Sequence, residues 1–221
     1  MHLAQGKAAR EKFEQIRDEA QKRLQGSKGS HDWEHTERVL ALAEHLAKAE
    51  DADVDIVRCA AVLHDLARCE EDQSGGKVDH ALRGAELARD LLRTHGWEEA
   101  DVERVAHCIE THRFRNQLEP RTLEAKVLFD ADKLDSIGAV GIGRAFLFAG
   151  EVGAKLHNPG VDIEQTRPYT VEDTAYREYQ VKLRKIRDRI LTPEGRRLAQ
   201  ARHEFMQAFF KRLDQEVSGI W

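Results

Sequence analysis

The chain has 221 residues, 41% of them hydrophobic and 34% charged, with a formal net charge of −5. A chain of this length buries about 70% of its unfolded surface, so one domain over residues 1–221 is the expectation. The acidic balance lacks the basic face that nucleic-acid binding requires, and no apolar stretch approaches the ~20 residues of a membrane span.

Four prolines, few aromatics and abundant Ala, Leu, Glu, Lys and Arg favour helix. The opening segment "MHLAQGKAAREKFEQIRDEA" is charged and amphipathic, without the apolar core of a signal peptide. Periodicity predicts a helix over about 3–24, a flexible joint at "GSKGS" (26–30), then helices over 32–49 and 54–67. A polar loop, "EEDQSGGKVD" (70–79), leads to helices over 79–94, 98–112, 122–135 and 137–150. The longest loop, "GAKLHNPGVDIEQTRPYT" (153–170), has the length found in lids. Helices over 171–191 and 193–217 follow, the last capped by Thr192 with Pro193 at its first position. Both are heavily charged, and Phe205, Phe209 and Leu213 form a stripe that fits a helical hairpin packed on the core, or a homodimer surface. No segment alternates as a strand, so the predicted fold class is all-α. Cys59, Cys69 and Cys108 are odd in number and lack paired spacing. A disulfide framework and a thiolate zinc site are therefore not expected, and a reducing cytoplasm is the expected location.

Side chains at i, i+3, i+4 and i+7 share a helix face. On that basis His35 falls in line with Val39, Leu42 and Leu46. His64 follows Val57 and Ala61, His112 follows Val105 and Ile109, and His80 precedes Gly84, Leu87 and Leu91. These four histidines are expected to point inward, with Asp65 fixed beside His64. In "DADKLD" the spacing does not choose between Asp130 and Asp132, and Asp135 is a third candidate. His45, His95, His107, His157 and His203 lie among charges or near helix ends and are expected in solvent. An inward histidine alone is more often a core side chain than a ligand. Inward carboxylates are different, because an ionised carboxylate taken out of water needs a cation, several donors or a proton. One divalent ion would satisfy the set together, and imidazoles and carboxylates are its usual ligands.

"HDWEHTERV", "AAVLHDLAR" and "LFDADKLDSIGAVGIGRAF" together resemble the H…HD…D signature of the HD-domain metal-dependent phosphohydrolases, over roughly residues 25–150. The resemblance implies metal ligands at His35, His64, Asp65 and Asp132, favouring Asp132 as the aspartate of the "AD" pair. It implies a helix bundle with the ion at its centre, and a pocket position for His31. "DHALRGAELA" and "CIETHRF" resemble elements of binuclear members, which would make His80 and His112 either ligands of a second metal or hydrogen-bond donors to substrate phosphate. The GYP signature of the cyclic-dinucleotide phosphodiesterases is missing, and "HDLARCEED" departs from the alarmone hydrolases.

A mixed His/Asp site with open positions lowers the pKa of a bound water, polarises a phosphoryl oxygen and aligns attacker with leaving group. Mn, Co, Ni, Mg or Fe would suit these ligands, whereas zinc prefers fewer. Phosphoryl transfer also needs cations over its oxygens. Lys133, beside Asp132, and Arg68, one turn after His64, are the candidates. Asp65 and Asp135 complete the expected catalytic group, Asp135 by orienting the water, by acting as a base or by capping the next helix at Gly138. Arg38 is a candidate brace for the aspartates. The glycines of "GAVGIG" lack the GK[ST] of a phosphate loop and read as helix-contact positions. The expected function is hydrolysis of nucleotides or related small phosphate esters, with triphosphate pyrophosphohydrolysis or monophosphate hydrolysis implied by similar small bacterial proteins. A di-iron oxygenase of HD type and a non-catalytic, metal-stabilised signalling module are the alternatives.

Overall fold

The computed structural model describes residues 2–24, 33–113, 118–158 and 160–220, with side chains from Arg10 onward. Among the described residues there is no strand, as the composition demands. Contacts divide the chain into two compact units, Met1–Asp132 and Lys133–Trp221. No helix among the described residues is long and apolar enough to cross a membrane.

The first unit contains α1 (His2–Leu24), α2 (Trp33–Glu50), α3 (Val54–Leu63), α4 (Arg68–Gln73), α5 (His80–Thr94), α6 (Glu99–Thr111) and most of α7 (Leu123–Asp135). Its centre is α3. The run "CAAVL" offers no polar face, and Cys59 to Leu63 are all buried. A helical stretch apolar all round must be surrounded, and α1, α2, α5 and α6 each pack on α3. Phe13, Ile16 and Ala20 supply the α1 face, and Val39, Ala43 and Leu46 the α2 face. Asp53 starts α3 by accepting from the backbone of Asp55 and Ile56. Asp79 does the same for α5, through Ala81 and Leu82. Each cap satisfies amide groups that a helix start leaves bare.

The helix predicted over 54–67 stops at Leu63. The chain tightens there: Leu66 N donates to Leu63 O at 3.2 Å and Arg68 N to Asp65 O at 2.9 Å. The cause is visible at Ala61, whose carbonyl accepts from Nδ1 of His64 at 2.7 Å. A side chain has claimed a helix-end carbonyl. The loop predicted over 70–79 accordingly begins as helix, since α4 runs to Gln73.

The second unit contains α8 (Gly138–Glu151), α9 (Ala175–Val181) and α10 (Pro193–Val217). The helix predicted over 171–191 is broken. Thr174 caps α9 through the amide of Arg177, and Lys182 leaves helical geometry at φ −132°. Short 3₁₀ turns, Leu183–Lys185 and Arg187–Arg189, follow. Arg177 is tied to Asp173 at 2.8 Å and to Thr166, which fastens the preceding loop to α9. Thr192 caps α10 as predicted, with Gly195 N at 3.2 Å from its hydroxyl. The buried face of α10 is Gly195, Ala199, His203, Met206 and Phe210, not the predicted stripe, for Phe205 is 51% exposed. His203 is therefore buried, contrary to expectation. So is His157, whose Nε2 meets Asp214 Oδ1 at 2.6 Å and whose ring packs edge-on against Tyr176.

Two glycines of "GAVGIG" have separate reasons. Gly138 sits at φ 78°, where a side chain is strained. A Cβ on Gly141 would fall on the carbonyl of Ser136, whereas one on Gly143 would meet nothing within 4 Å. Gly141→Ala should therefore destabilise the protein by roughly 1–3 kcal/mol. Gly143→Ala, which only improves helix propensity, should be neutral or stabilise by up to about 1 kcal/mol. Thermal unfolding of the two variants checks the contrast, and equal melting temperatures would contradict it.

Candidate metal centre

Helix ends bring the site together in the first unit. His64 is the C-cap of α3, His112 the C-cap of α6 and His80 the first residue of α5. His35 lies in the first turn of α2, and Asp132 comes from α7. Gly84, one turn after His80, faces the carbonyl of His64, where a Cβ would make ordinary contact at 3.5 Å. His35, His64, Asp65, His80 and His112 are 1–4% exposed.

Two neighbouring groups result, one of His35, His64 and Asp132, the other of Asp65, His80 and His112. In the first, His35 Nε2 lies 3.4 Å from His64 Nε2 and 3.5 Å from Asp132 Oδ1. In the second, His80 Nε2 lies 3.2 Å from both His112 Nε2 and Asp65 Oδ1. Asp65 joins them. Its Oδ2 is 3.5 Å from His64 Nε2 and 3.8 Å from His35 Nε2, while its Oδ1 faces the second group.

The hydrogen-bond partners fix which ring atoms are bare. Nδ1 of His64 lies on the carbonyl of Ala61, and Nδ1 of His112 on that of Ile109 at 2.6 Å. Nδ1 of His80 lies 2.5 Å from Oε2 of Glu71. Carbonyl and carboxylate oxygens only accept, so Nδ1 carries the hydrogen in all three rings. In the neutral rings Nε2 is then a lone pair, and these lone pairs face one another and the Asp65 carboxylate. Burial, with the His64 ring beside it, pushes His112 down to about 3, so it stays neutral. Acceptor atoms that converge in a dry interior favour the approach of positive charge. Ligand atoms about 2.1 Å from one ion lie roughly 3.0–3.5 Å from each other, close to the spacing found here. Both groups therefore fit a divalent cation, and the hydrogen-bonded Nδ1 atoms have the form of outer partners that orient metal-binding imidazoles.

Asp130 is fully buried but belongs to neither group, so geometry separates it from Asp132 where periodicity did not. Arg68 is tied to Glu71 at 3.1 Å and to Asp72 at 3.5 Å. Lys133 and Asp135 fall in the second unit. Asp135 is 1% exposed and its Oδ2 accepts from Arg144 at 2.7 Å. It does not supply the N-cap of α8, which is Ile137. His31 lies outside the described residues. Glu71 and Arg113 also border this site, and no motif in the sequence marks either. Glu71 is 7% exposed, with Oε1 3.0 Å from Arg113 Nη2. Burial alone would raise its carboxyl, but the hydrogen bond from His80 and the nearby Arg113 and Arg68 carry it below the ordinary range. Its only sequence signal was a place one turn after Arg68.

The HD domain family matches residues 32–137 of the chain. The YpgQ protein of Bacillus subtilis is 36% identical over 212 residues, covering 94% of each chain. The crystal structure of B. subtilis YpgQ in complex with ADP superimposes with a TM-score of 0.74 at 35% identity, over 96% of this chain and 98% of that one. An HD-superfamily hydrolase from Bacillus thuringiensis gives a TM-score of 0.76 at 27% identity, over 95% and 98%. With a helical fold, an HD-domain match over residues 32–137 and a relative similar along nearly its whole length, the chain belongs to the HD-domain superfamily.

Proposed function

We propose that the protein is a metal-dependent phosphohydrolase acting on nucleotides, with water as the attacking group. The observation that carries this reading is the convergence of four buried ring nitrogens on the Asp65 carboxylate: His35 and His64 on one side, His80 and His112 on the other. His35, His64, Asp65 and Asp132 would hold the ion. A bound divalent cation supplies a water of lowered pKa and polarises a phosphoryl oxygen. The similarity to a protein crystallised with ADP supports a nucleotide as substrate. A second ion would be held by Asp65, His80 and His112.

The remaining residues divide by their existing commitments. Lys133, next to Asp132 in sequence, is assigned to phosphate. Arg68 must leave Glu71 and Asp72 to reach an anion, so it is the lesser contributor. Asp135, buried against Arg144, is assigned to that pairing rather than to the water. His31 is assigned to the pocket wall on sequence resemblance alone.

Three outcomes test the reading. Chelation should abolish hydrolysis of a nucleotide panel, with Mn²⁺ or Co²⁺ restoring it, and separate assays of phosphate and pyrophosphate release should identify the bond cut. A panel untouched by the Mn²⁺-loaded protein would count against it. His64→Ala should lower bound metal, measured by elemental analysis. It should also remove the thermal stabilisation that an ion at a hundred times its Kd confers, about 2.7 kcal/mol. Metal content equal to the parent's would refute the ligand assignment. Lys133→Ala should keep its metal and lower kcat by about 10²-fold; loss of metal instead would mean that its role is structural.

A further inference from the structure

We propose that Glu71 is a positioning residue that fixes the tautomer and orientation of His80, and so completes the half-site of Asp65, His80 and His112 for a second divalent cation. This rests on the metal-dependent reading above.

Glu71 stands in α4, away from the signature motifs, yet its carboxylate is buried. A buried carboxylate needs partners, and the identity of these partners is informative. Oε2 takes Nδ1 of His80 at 2.5 Å and Arg68 Nη1 at 3.1 Å, and Oε1 takes Arg113 Nη2 at 3.0 Å. Arg113, itself 9% exposed, also reaches Asp79 Oδ1 at 3.2 Å. Asp79 is the cap of α5, whose first residue is His80. One arginine thus ties the carboxylate on the His80 ring to the aspartate that starts the His80 helix. An ion pair serving only the fold would have been complete with Arg113 and Arg68. Here the shortest contact goes to the imidazole, on the ring edge opposite Asp65. With the hydrogen held on Nδ1, Nε2 of His80 joins the His112 lone pair and Asp65 Oδ1, both 3.2 Å away. A carboxylate behind an imidazole in this way orients a metal ligand and raises its basicity.

Glutamine at this position is informative because an amide presents a donor on one side. If that NH₂ faces His80, Nδ1 must accept and the proton moves to Nε2, which removes the lone pair. If it faces Arg113, donor meets donor.

The test is titration of the metal-free parent, Glu71→Gln and Glu71→Asp with Co²⁺, followed by calorimetry and visible absorption. The parent should bind two ions per chain. Glu71→Gln should hold the first within about threefold of the parent and the second about 10–100-fold more weakly, with Glu71→Asp recovering part of the loss. Long-range ¹⁵N–¹H spectra of the metal-free proteins should place the His80 hydrogen on Nδ1 in the parent and on Nε2 in Glu71→Gln. Four outcomes would overturn the proposal. A second ion bound equally by Glu71→Gln would remove Glu71 from the site. Equal loss of both ions with an unchanged tautomer would make it merely structural. A parent His80 with its hydrogen on Nε2 alone would refute it without any variant. A parent that binds a single ion would refute it while leaving the one-ion hydrolase intact.

Discussion

Lone pairs that face one another in a dry interior are the constraint on which the rest of this structure depends. Four imidazoles and the two oxygens of Asp65 approach to 3.2–3.9 Å. At least three of the imidazoles keep their hydrogen on the far side, where a carbonyl or carboxylate holds it. Such a set attracts positive charge. A fold that keeps six acceptor-bearing positions together serves a cation better than it serves its own stability.

The helices are shaped to deliver those atoms. An α-helix interior commits its backbone to itself, so the side chains of the site come mainly from helix ends. The end of α3 gives up a carbonyl to His64, and the end of α6 gives one to His112. Each bond both caps a helix and aims a ring. Asp79 starts α5 so that His80 occupies its first position. The apolar C-terminal half of α3 supplies the support, since α1, α2, α5 and α6 pack on this helix.

Most of this was legible in the sequence because it rests on periodicity. The inward faces of His35, His64, His80 and His112 follow from apolar neighbours three and four residues away, and the structure buries all four. Asp130 and Asp132 were not separable that way, because both flank the same apolar turn; three-dimensional convergence on His35 chose between them. The break after Leu63 was hidden because "HDLAR" is compatible with continued helix, and the tighter turn comes from a side chain competing for a backbone carbonyl. Glu71 was hidden because an acid in "CEEDQ" looks solvated, and only the fold, which brings His80 and Arg113 onto it from nine and forty-two residues on, reveals that it is held inside. On α10 the aromatic residues misled: burial follows the small and mixed stripe from Ala199 through His203 to Phe210.

The central claim is that the acceptors around Asp65 are a cation site. The most direct measurement is a crystal structure of the Mn²⁺-loaded protein with anomalous differences recorded near the manganese absorption edge. The account predicts a strong peak within bonding distance of His35 Nε2, His64 Nε2, Asp65 Oδ2 and Asp132 Oδ1. A map with no peak among those four atoms, in crystals that hold manganese elsewhere, would contradict it.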